Sequence, residues 1–323
     1  VKLAFIIDPI AKLDPGHDSS VAIMETAQIL GHQIWITEAN QLTVIEGKAW
    51  ANLQSVKLQP VELVDGHYKV DRDWYRVEPA ILTCLEEMDA VFMRSDPPVT
   101  IPYLYATYIL DLIDVDRTLV INSPRGLRAA NEKMYALQFT SAIPETIVSQ
   151  DKSVIAGFIK KKQAGVLKPL GGKAGEGILF LEAGDRNFNS LIEVSTQRGR
   201  EPVMIQEYLP AAKEGDKRII LLDGKPIGAV NRIPTGNEFR GNMAVGGVAA
   251  KVEITQRELE ICEIVAPKLQ ADGLYFVGID VIGGYLTEVN VTSPTGIREI
   301  DRLNNVSLGK EVIQWLENRK TSQ

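Results

Sequence analysis

Three oxygen-bearing side chains near the C-terminal end, Asp280, Glu288 and Asn290, have types and spacing that suit a hard divalent cation. Asp280 falls in the apolar run Phe276 to Ile282, which predicts a buried strand; Glu288 and Asn290 alternate along the run after Gly283-Gly284. Such a set matches Mg²⁺, which takes one or two carboxylates and completes its shell with water and substrate phosphates. Register decides whether the three share a face. A three-residue loop centred on Gly284 sets Asp280 opposite Glu288 and Asn290 opposite Gly278. A two-residue Gly283-Gly284 turn sets Asp280 opposite Thr287 and sends the carboxylates to opposite faces. A metal site requires the first arrangement, whereas the wet face of a half-exposed hairpin requires neither.

Several cationic positions offer polyanion chemistry. Lys168 interrupts the apolar run Val166 to Leu170 and precedes the loop Gly171 to Gly177, after which Ile178 to Leu181 is apolar again. A Walker loop or a dinucleotide fingerprint would open a helix, and neither pattern fits a loop between two strands. Glycines such as Gly172 and Gly175 let backbone N–H groups approach phosphate oxygens, with Lys168 or Lys173 supplying charge; a flexible hairpin tip has the same composition. The run Val203 to Leu209 ends in Gln206, Glu207, Tyr208 and Leu209, which suit an adenine edge and equally suit an ordinary strand terminus. Asp216-Lys217-Arg218 leads into a hairpin turned at Asp223-Gly224 and followed by Arg232. Planar guanidinium forks at both ends of that hairpin suit carboxylate and phosphate. The glycine-rich stretch Pro234 to Gly247 has the length of a lid.

These residues need a scaffold. At 323 residues, with 45% hydrophobic and 24% charged residues, the chain has the composition of a globular protein of two or three domains. No run resembles a membrane span or a signal peptide, so a soluble cytoplasmic protein is expected. A net charge of −7 argues against a nucleic-acid partner. Cys84 and Cys262, far apart, and His17, His32 and His67, scattered, make neither a disulfide framework nor a zinc motif.

Leu3 to Asp8 predicts a buried strand, Asp18-Ser19-Ser20 caps a helix to Leu30, and Ile34 to Glu38 predicts the next strand. Short alternating hairpins are expected over Val44 to Val77, a helix over Pro79 to Met88, and a strand over Ala90 to Arg94. Asp8, Ser20 and Arg94 then fall at strand ends, where open α/β sheets bind ligands. A strand at Leu119 to Asn122 closes this unit. Ser123-Pro124 opens a helix expected to run to about Thr140 with Lys133 inside it. Thr255 to Glu258 is a capping box for a helix to Leu269, and Ser307 to Asn318 predicts a terminal helix.

In order, the chain carries DPI at Asp8, DSS at Asp18, MRSDPP at Met93, NEK at Asn131, LKPLGG at Leu167, QEYLP at Gln206, EGDKR at Glu214 and NVTSPTGIRE at Asn290. This series resembles the ATP-grasp ligases and, among them, the bacterial glutathione synthetases, over almost the whole length. The resemblance implies an N-terminal open α/β domain at 1–122. A two-part ATP-grasp fold with mainly antiparallel sheets would follow, as a lid subdomain at 123–201 and a core at 202–323. It implies ATP and Mg²⁺ as cofactors, γ-glutamylcysteine and glycine as substrates, and a homotetramer. Lys133, Lys168, the flap with Gly172 and Gly175, Gln206 to Leu209 and Asp216 would hold the nucleotide; Asp280, Glu288 and Asn290 would hold two Mg²⁺. Arg218 and Arg232 would act on the acyl phosphate or substrate carboxylates, with Asp8, Ser20, Arg94, Asn290, Ser293 and Thr295 around the dipeptide. Two departures stand out: Lys173 and Glu176 replace small residues in the flap, and Gly296 stands where a cysteine can occur.

Overall fold

The architecture is a computed structural model that describes residues 1–172, 175–236, 240–241, 243 and 246–321. The first unit begins with strand β1 (Lys2–Ile6), whose Leu3, Ala4, Phe5 and Ile6 are wholly buried because both faces are covered. Helix α1 (Ser19–Ile29) follows, its first turn held by Asp18, whose side chain accepts from the Val21 N–H at 2.9 Å. Then come β2 (Gln33–Thr37), β3 (Leu42–Ile45), β4 (Lys48–Leu58), β5 (Glu62–Val64), β6 (His67–Lys69), β7 (Tyr75–Val77), β8 (Ile81–Cys84), β9 (Ala90–Met93), α2 (Ile101–Leu110) and β10 (Leu119–Ile121). The sheet runs β10-β9-β1-β2-β4-β3, with β7 and β8 also paired to β4. Its β10-β9-β1-β2 part is parallel, as an open α/β unit requires.

Helix α3 (Pro124–Ala129) leads to the second unit, with β11 (Thr146–Ser149), α4 (Lys152–Lys162), β12 (Ala164–Pro169), β13 (Leu179–Glu182), α5 (Phe188–Ser195) and β14 (Val203–Glu207). Its antiparallel sheet has the order β11-β14-β12-β13. Because β14 pairs with β11 and β12, this unit reaches past the expected boundary at 201. We propose the division after Glu207.

The third unit contains β15 (Asp216–Leu222), β16 (Lys225–Ile233), β17 (Val248–Lys251), α6 (Gln256–Ala271), β18 (Phe276–Ile282), β19 (Tyr285–Asn290), α7 (Ile297–Asn304) and α8 (Leu308–Thr321). Its sheet, β17-β16-β15-β18-β19, is antiparallel throughout. The capping box between Thr255 and Glu258 opens α6 as expected. Among the described residues, no helix is long and apolar enough to cross a membrane.

Three sequence expectations need correction. Pro79 to Met88 is not a helix: Ile81–Cys84 pairs with Trp50–Leu53 of β4 and a short 3-10 turn follows. Leu85 and Met88 are buried, so the helix-like spacing of apolar residues reflects packing after the strand. The helix from Pro124 stops at Ala129, because the Asn131 side chain accepts from the N–H groups of Lys133 and Met134 and so diverts the backbone. Met134–Gln138 is a separate 3-10 turn, and Lys133 sits at its cap.

The third correction concerns the turn and not the register. Asp280 does face Glu288 and Gly278 does face Asn290. The turn, however, is the two-residue Gly283-Gly284 form, with Ile282 opposite Tyr285 and Val281 opposite Leu286. Thr287 is the extra residue of a β-bulge that restores the register lost by the short turn.

The first and third units share two apolar cores, so Ala4 and Val91 belong to one cluster with Ile219 and Val277, and Phe5 and Ile23 to another with Ile220 and Leu308. Asn122 stitches them. Its Nδ2 donates to the carbonyls of Phe276 and Val291, and its Oδ1 accepts from the Phe276 N–H, each at 2.8 Å. Asn122→Ala would strand those buried groups, at about 1–3 kcal/mol for an unsatisfied group. Urea denaturation should show a loss of at least about 2 kcal/mol, within that range; an unchanged midpoint would remove Asn122 as the stitch.

Candidate active site

Asp280, on β18, is 2% exposed and sits where β15, β16 and β18 meet. Arg218 lies directly opposite it on β15 and bonds both carboxylate oxygens, Nε to Oδ1 and NH2 to Oδ2, the latter at 2.9 Å. Arg232 NH2 is 3.0 Å from Asp280 Oδ2 and 2.6 Å from Asp216 Oδ2, and Asn290 Nδ2 donates to Asp280 Oδ2 at 3.3 Å. Burial would raise the Asp280 carboxyl, but the guanidinium of Arg218 and then that of Arg232 outweigh it and hold the group well below the usual carboxylate range. Asp216 moves the other way, raised chiefly by burial.

Two glycines make room for Arg218. A Cβ on Gly278 would meet Arg218 Cδ and Pro294 Cβ at 2.9 Å each. Gly296 has φ +132°, and a Cβ there would meet Arg218 Cγ at 3.4 Å. That distance is an ordinary contact, but the φ strains any side chain at 296, which gives the departure at this position a backbone reason.

Lys133 and Lys168 are 4% and 8% exposed. Lys168 projects from β12 with Nζ 3.4 Å from the carbonyl of Thr287, the bulged residue, and burial lowers its pKa. Lys133 Nζ lies 3.1 Å from Glu288 Oε1 and donates to the Gly172 carbonyl of the flap at 2.9 Å. Its neighbours complete a knot. Asn131 Nδ2 donates to the Leu170 carbonyl at 3.0 Å, and Glu132 Oε1 accepts from the Val291 N–H, the Thr292 N–H and Thr292 Oγ1. Burial first, then the charge of Glu288, raises the Glu132 pKa. Sequence alone gives Glu132 no task; a carboxylate between Asn and a functional Lys is the available signal.

Two adjoining cavities share Ile178 and Glu288. The smaller, about 70 Å³, is lined by Lys168, Gln206, Glu207, Tyr208, Leu209, Asp216 and Asp280, with Val166, Ile178 and Ile282 as apolar walls. Gln206 Nε2 is buried there without a partner, so an acceptor on a flat heterocycle would satisfy it. The larger, about 340 Å³, is lined by Lys133, Gly172, Gly175, Arg218, Arg232, Glu288, Asn290, Ser293 and Thr295. It also brings in Lys12, Asp14, His17, Glu132 and Glu299, to which sequence alone assigns no role. His17 and Glu299 form a pair at 2.5 Å, and this hydrogen bond raises the His17 pKa despite partial burial.

Asp8, Ser20 and Arg94 line neither cavity. Arg94 is 4% exposed, with Nε donating to Ser20 Oγ at 2.9 Å and NH2 to the Pro294 carbonyl at 3.0 Å. Arg94 and Ser20 thus brace the wall behind Ser293 and Thr295. In the flap, Glu176 lines the larger cavity, whereas Lys173 lies outside the described residues. The lid touches the flap through Arg240, whose NH1 donates to the Gly175 carbonyl at 2.7 Å.

The metal expectation can be tested on the donor set. Asp280, Glu288 and Asn290 lie in register across β18 and β19; both Asp280 oxygens accept from Arg218, Arg232 or Asn290 Nδ2, so a cation there would replace some of those donors. Among the described residues, no group of three or more His, Cys, Asp or Glu forms a self-sufficient cage. Two carboxylates and an amide fit Mg²⁺ that is shared with phosphates, and are too few for a calcium site built from protein alone. Asp216 Oδ1, buried without a partner in the same cluster, adds an acceptor that a cationic group would satisfy.

Residues 1–128 match the family model of the prokaryotic glutathione synthetase N-terminal domain, and residues 132–305 match that family's ATP-grasp domain. The chain is 68% identical to a glutathione synthetase of Synechocystis sp., over 98% of this chain and 99% of the relative. A glutathione synthetase of Nostoc sp. is 67% identical over 98% of each. Among solved structures, the ATP-grasp ligase PsnB, complexed with a minimal precursor, Mg and ADP, superposes with a TM-score of 0.63 at 17% identity, over 99% of this chain and 98% of that one. D-cycloserine synthetase DcsG gives 0.63 at 13% identity, over 97% and 100%.

The close approach at Gly278 is directly testable. Gly278→Ala forces Arg218 or the Pro294 segment to shift and should cost about 1–3 kcal/mol in chemical denaturation, the range for overpacking a tight interior. A variant as stable as wild type would show that Arg218 is not confined as described.

Proposed function

The chain belongs to the prokaryotic glutathione synthetase family, and from that membership we infer that it makes glutathione as an ATP-dependent carboxylate–amine ligase. Its donor is γ-glutamylcysteine, its acceptor glycine, and its other products ADP and phosphate. The observation that carries the mechanistic reading is the convergence of Lys133, Lys168, Arg218 and Arg232 on one acidic face. That number of cations suits the phosphates of ATP and a carboxylate that must approach them.

The small cavity takes the adenine between Val166, Ile178 and Ile282, with the β14 end at its edge. Lys168 and Lys133 then exchange carbonyl acceptors for phosphate oxygens, which are stronger partners for an ammonium. The cysteinyl carboxylate of the dipeptide attacks the γ-phosphorus, and ADP leaves. Arg218 and Arg232 neutralise charge on the incoming carboxylate and on the resulting acyl phosphate. Glycine's neutral amine attacks the acyl carbon, loses a proton, and phosphate departs. Asp280, Glu288 and Asn290 would hold Mg²⁺, whose contribution is to offset charge on the transferring phosphoryl group. An acyl phosphate survives only where water is excluded. The contact between lid and flap, Arg240 to Gly175, supports a cover that closes as one body. A cytoplasmic homotetramer completes the reading.

The test is coupled ADP release. Wild type should release ADP only when γ-glutamylcysteine, glycine, ATP and Mg²⁺ are all present, and chelation should stop the reaction until Mg²⁺ is restored. Turnover with a different carboxylate and amine would point to another ligase of this fold. Glu288→Gln should lower kcat by about 100-fold or more, the scale for removing one organiser of transition-state charge, with an unchanged circular dichroism spectrum. Full activity in that variant would overturn the metal assignment.

A further inference from the structure

The dipeptide reacts at its cysteinyl carboxylate, yet its γ-glutamyl end carries a separate ammonium and carboxylate that the ligation does not use. Recognition of that end presupposes γ-glutamylcysteine as the donor and so rests on the proposed function. With the reacting end against Arg218 and Arg232, the γ-glutamyl arm extends toward the far wall of the larger cavity, which is built from the α1 approach and α7. Arg218 NH1 donates to the Thr295 carbonyl at 3.1 Å, and Glu299 follows in the first turn of α7, lining the same cavity.

Glu299 lines this cavity and is 7% exposed. Its Oε1 is engaged by His17 Nδ1, while its Oε2 is buried without any hydrogen-bond partner. Neighbouring acids differ. Asp14 accepts from the Gly16 N–H and Asp18 from the Val21 N–H of α1, each at 2.9 Å, and Glu132 accepts three donors from residues 291 and 292. A buried carboxylate oxygen left without a donor costs about 1–3 kcal/mol, and an ammonium is the donor that offsets both the missing bond and the charge.

The backbone around Glu299 is also fixed. The Ile297 N–H donates to Ser19 Oγ at 3.2 Å, Arg298 donates to the Pro15 carbonyl at 3.0 Å and pairs with Glu25, and Tyr68 donates to the Arg298 carbonyl at 2.9 Å. Both the first and third units therefore set where this carboxylate stands.

We propose that Glu299 Oε2 is the acceptor that selects the α-ammonium of the γ-glutamyl head. His17 is its positioning residue, holding the opposite oxygen, Oε1. The site thus discriminates a γ-glutamyl donor from an otherwise identical acid that lacks the amino group.

The experiment compares γ-glutamylcysteine with glutarylcysteine, its desamino analogue, at saturating ATP, Mg²⁺ and glycine. Wild type should favour γ-glutamylcysteine by about 10- to 100-fold in kcat/KM, the range for one hydrogen bond to a charged group. Glu299→Gln should remove most of that preference, chiefly through the KM for γ-glutamylcysteine, while leaving glutarylcysteine within about twofold and the KM for ATP unchanged. His17→Gln should move the ratio in the same direction by less. Equal loss on both substrates in Glu299→Gln would make the residue merely structural and overturn the proposal. So would a wild type that does not distinguish the two acids, a result that needs no variant to fold. Absence of any glycine-dependent turnover of γ-glutamylcysteine by wild type would instead overturn the proposed function, and this inference with it.

Discussion

The constraint on which this structure turns is the burial of Asp280 between two arginines from neighbouring strands. Removing a carboxylate from water costs several kcal/mol, and its attraction to a guanidinium offsets that only when the geometry is good and the remaining lone pairs are used. Arg218, Arg232 and Asn290 meet both conditions, approaching from β15, β16 and β19 respectively. A one-residue slip of any of these strands would turn its contribution to the other face of the sheet. The ion pairs are thus a register device as well as a site, and the surrounding backbone shows the accommodation: a bulge at Thr287, and no side chain at Gly278 or Gly296.

The same accommodation organises Lys168 and Lys133. Bulging at Thr287 places its carbonyl within reach of Lys168, which projects from another sheet. Lys133 reaches Glu288 and the flap together because the chain leaves its helix at Ala129. A helix continuing to Thr140 would have left Asn131, Glu132 and Lys133 on successive faces, about 100° apart, and unable to serve Leu170, Thr292 and Glu288 at once. The irregular backbone is what allows three consecutive residues to hold flap, sheet end and acidic face in one arrangement.

Legibility in the sequence divides along the same line. Strands at Leu3 and Val203, the cap at Asp18 and the capping box at Thr255 depend on neighbours close in sequence, and they occur where the pattern places them. The pairing of Asp280 with Glu288 was legible through the chemistry it had to serve, although the turn that achieves it was not, because a bulge leaves no mark in residue type. Pro79 to Met88 misled for a different reason. Its apolar residues fit a helical face, and pairing with the long β4 outweighed that local pattern. Arg94 and Ser20 carry suitable chemistry at suitable strand ends, yet they spend it on each other and on the Pro294 carbonyl. Conversely, Glu299 closes the NVTSPTGIRE motif with no task evident from its neighbours, since its relation to His17 spans almost the whole chain.

That long span bears on how the two outer units cooperate. They share apolar cores and the Asn122 stitch, so their relative placement is set by burial rather than by ligand. The larger cavity is lined from both, with His17 on one side and Arg218 and Arg232 on the other. On the proposed reading a donor held at both ends by this frame loses its freedom on binding, before chemistry begins, and orientation of this kind supplies much of the barrier reduction in joining two molecules. The middle unit and the lid meet through Arg240 on Gly175. On the proposed reading the two contributions are complementary: the shared cores align the carboxylate, and the contact of lid with flap helps to keep water from the acyl phosphate.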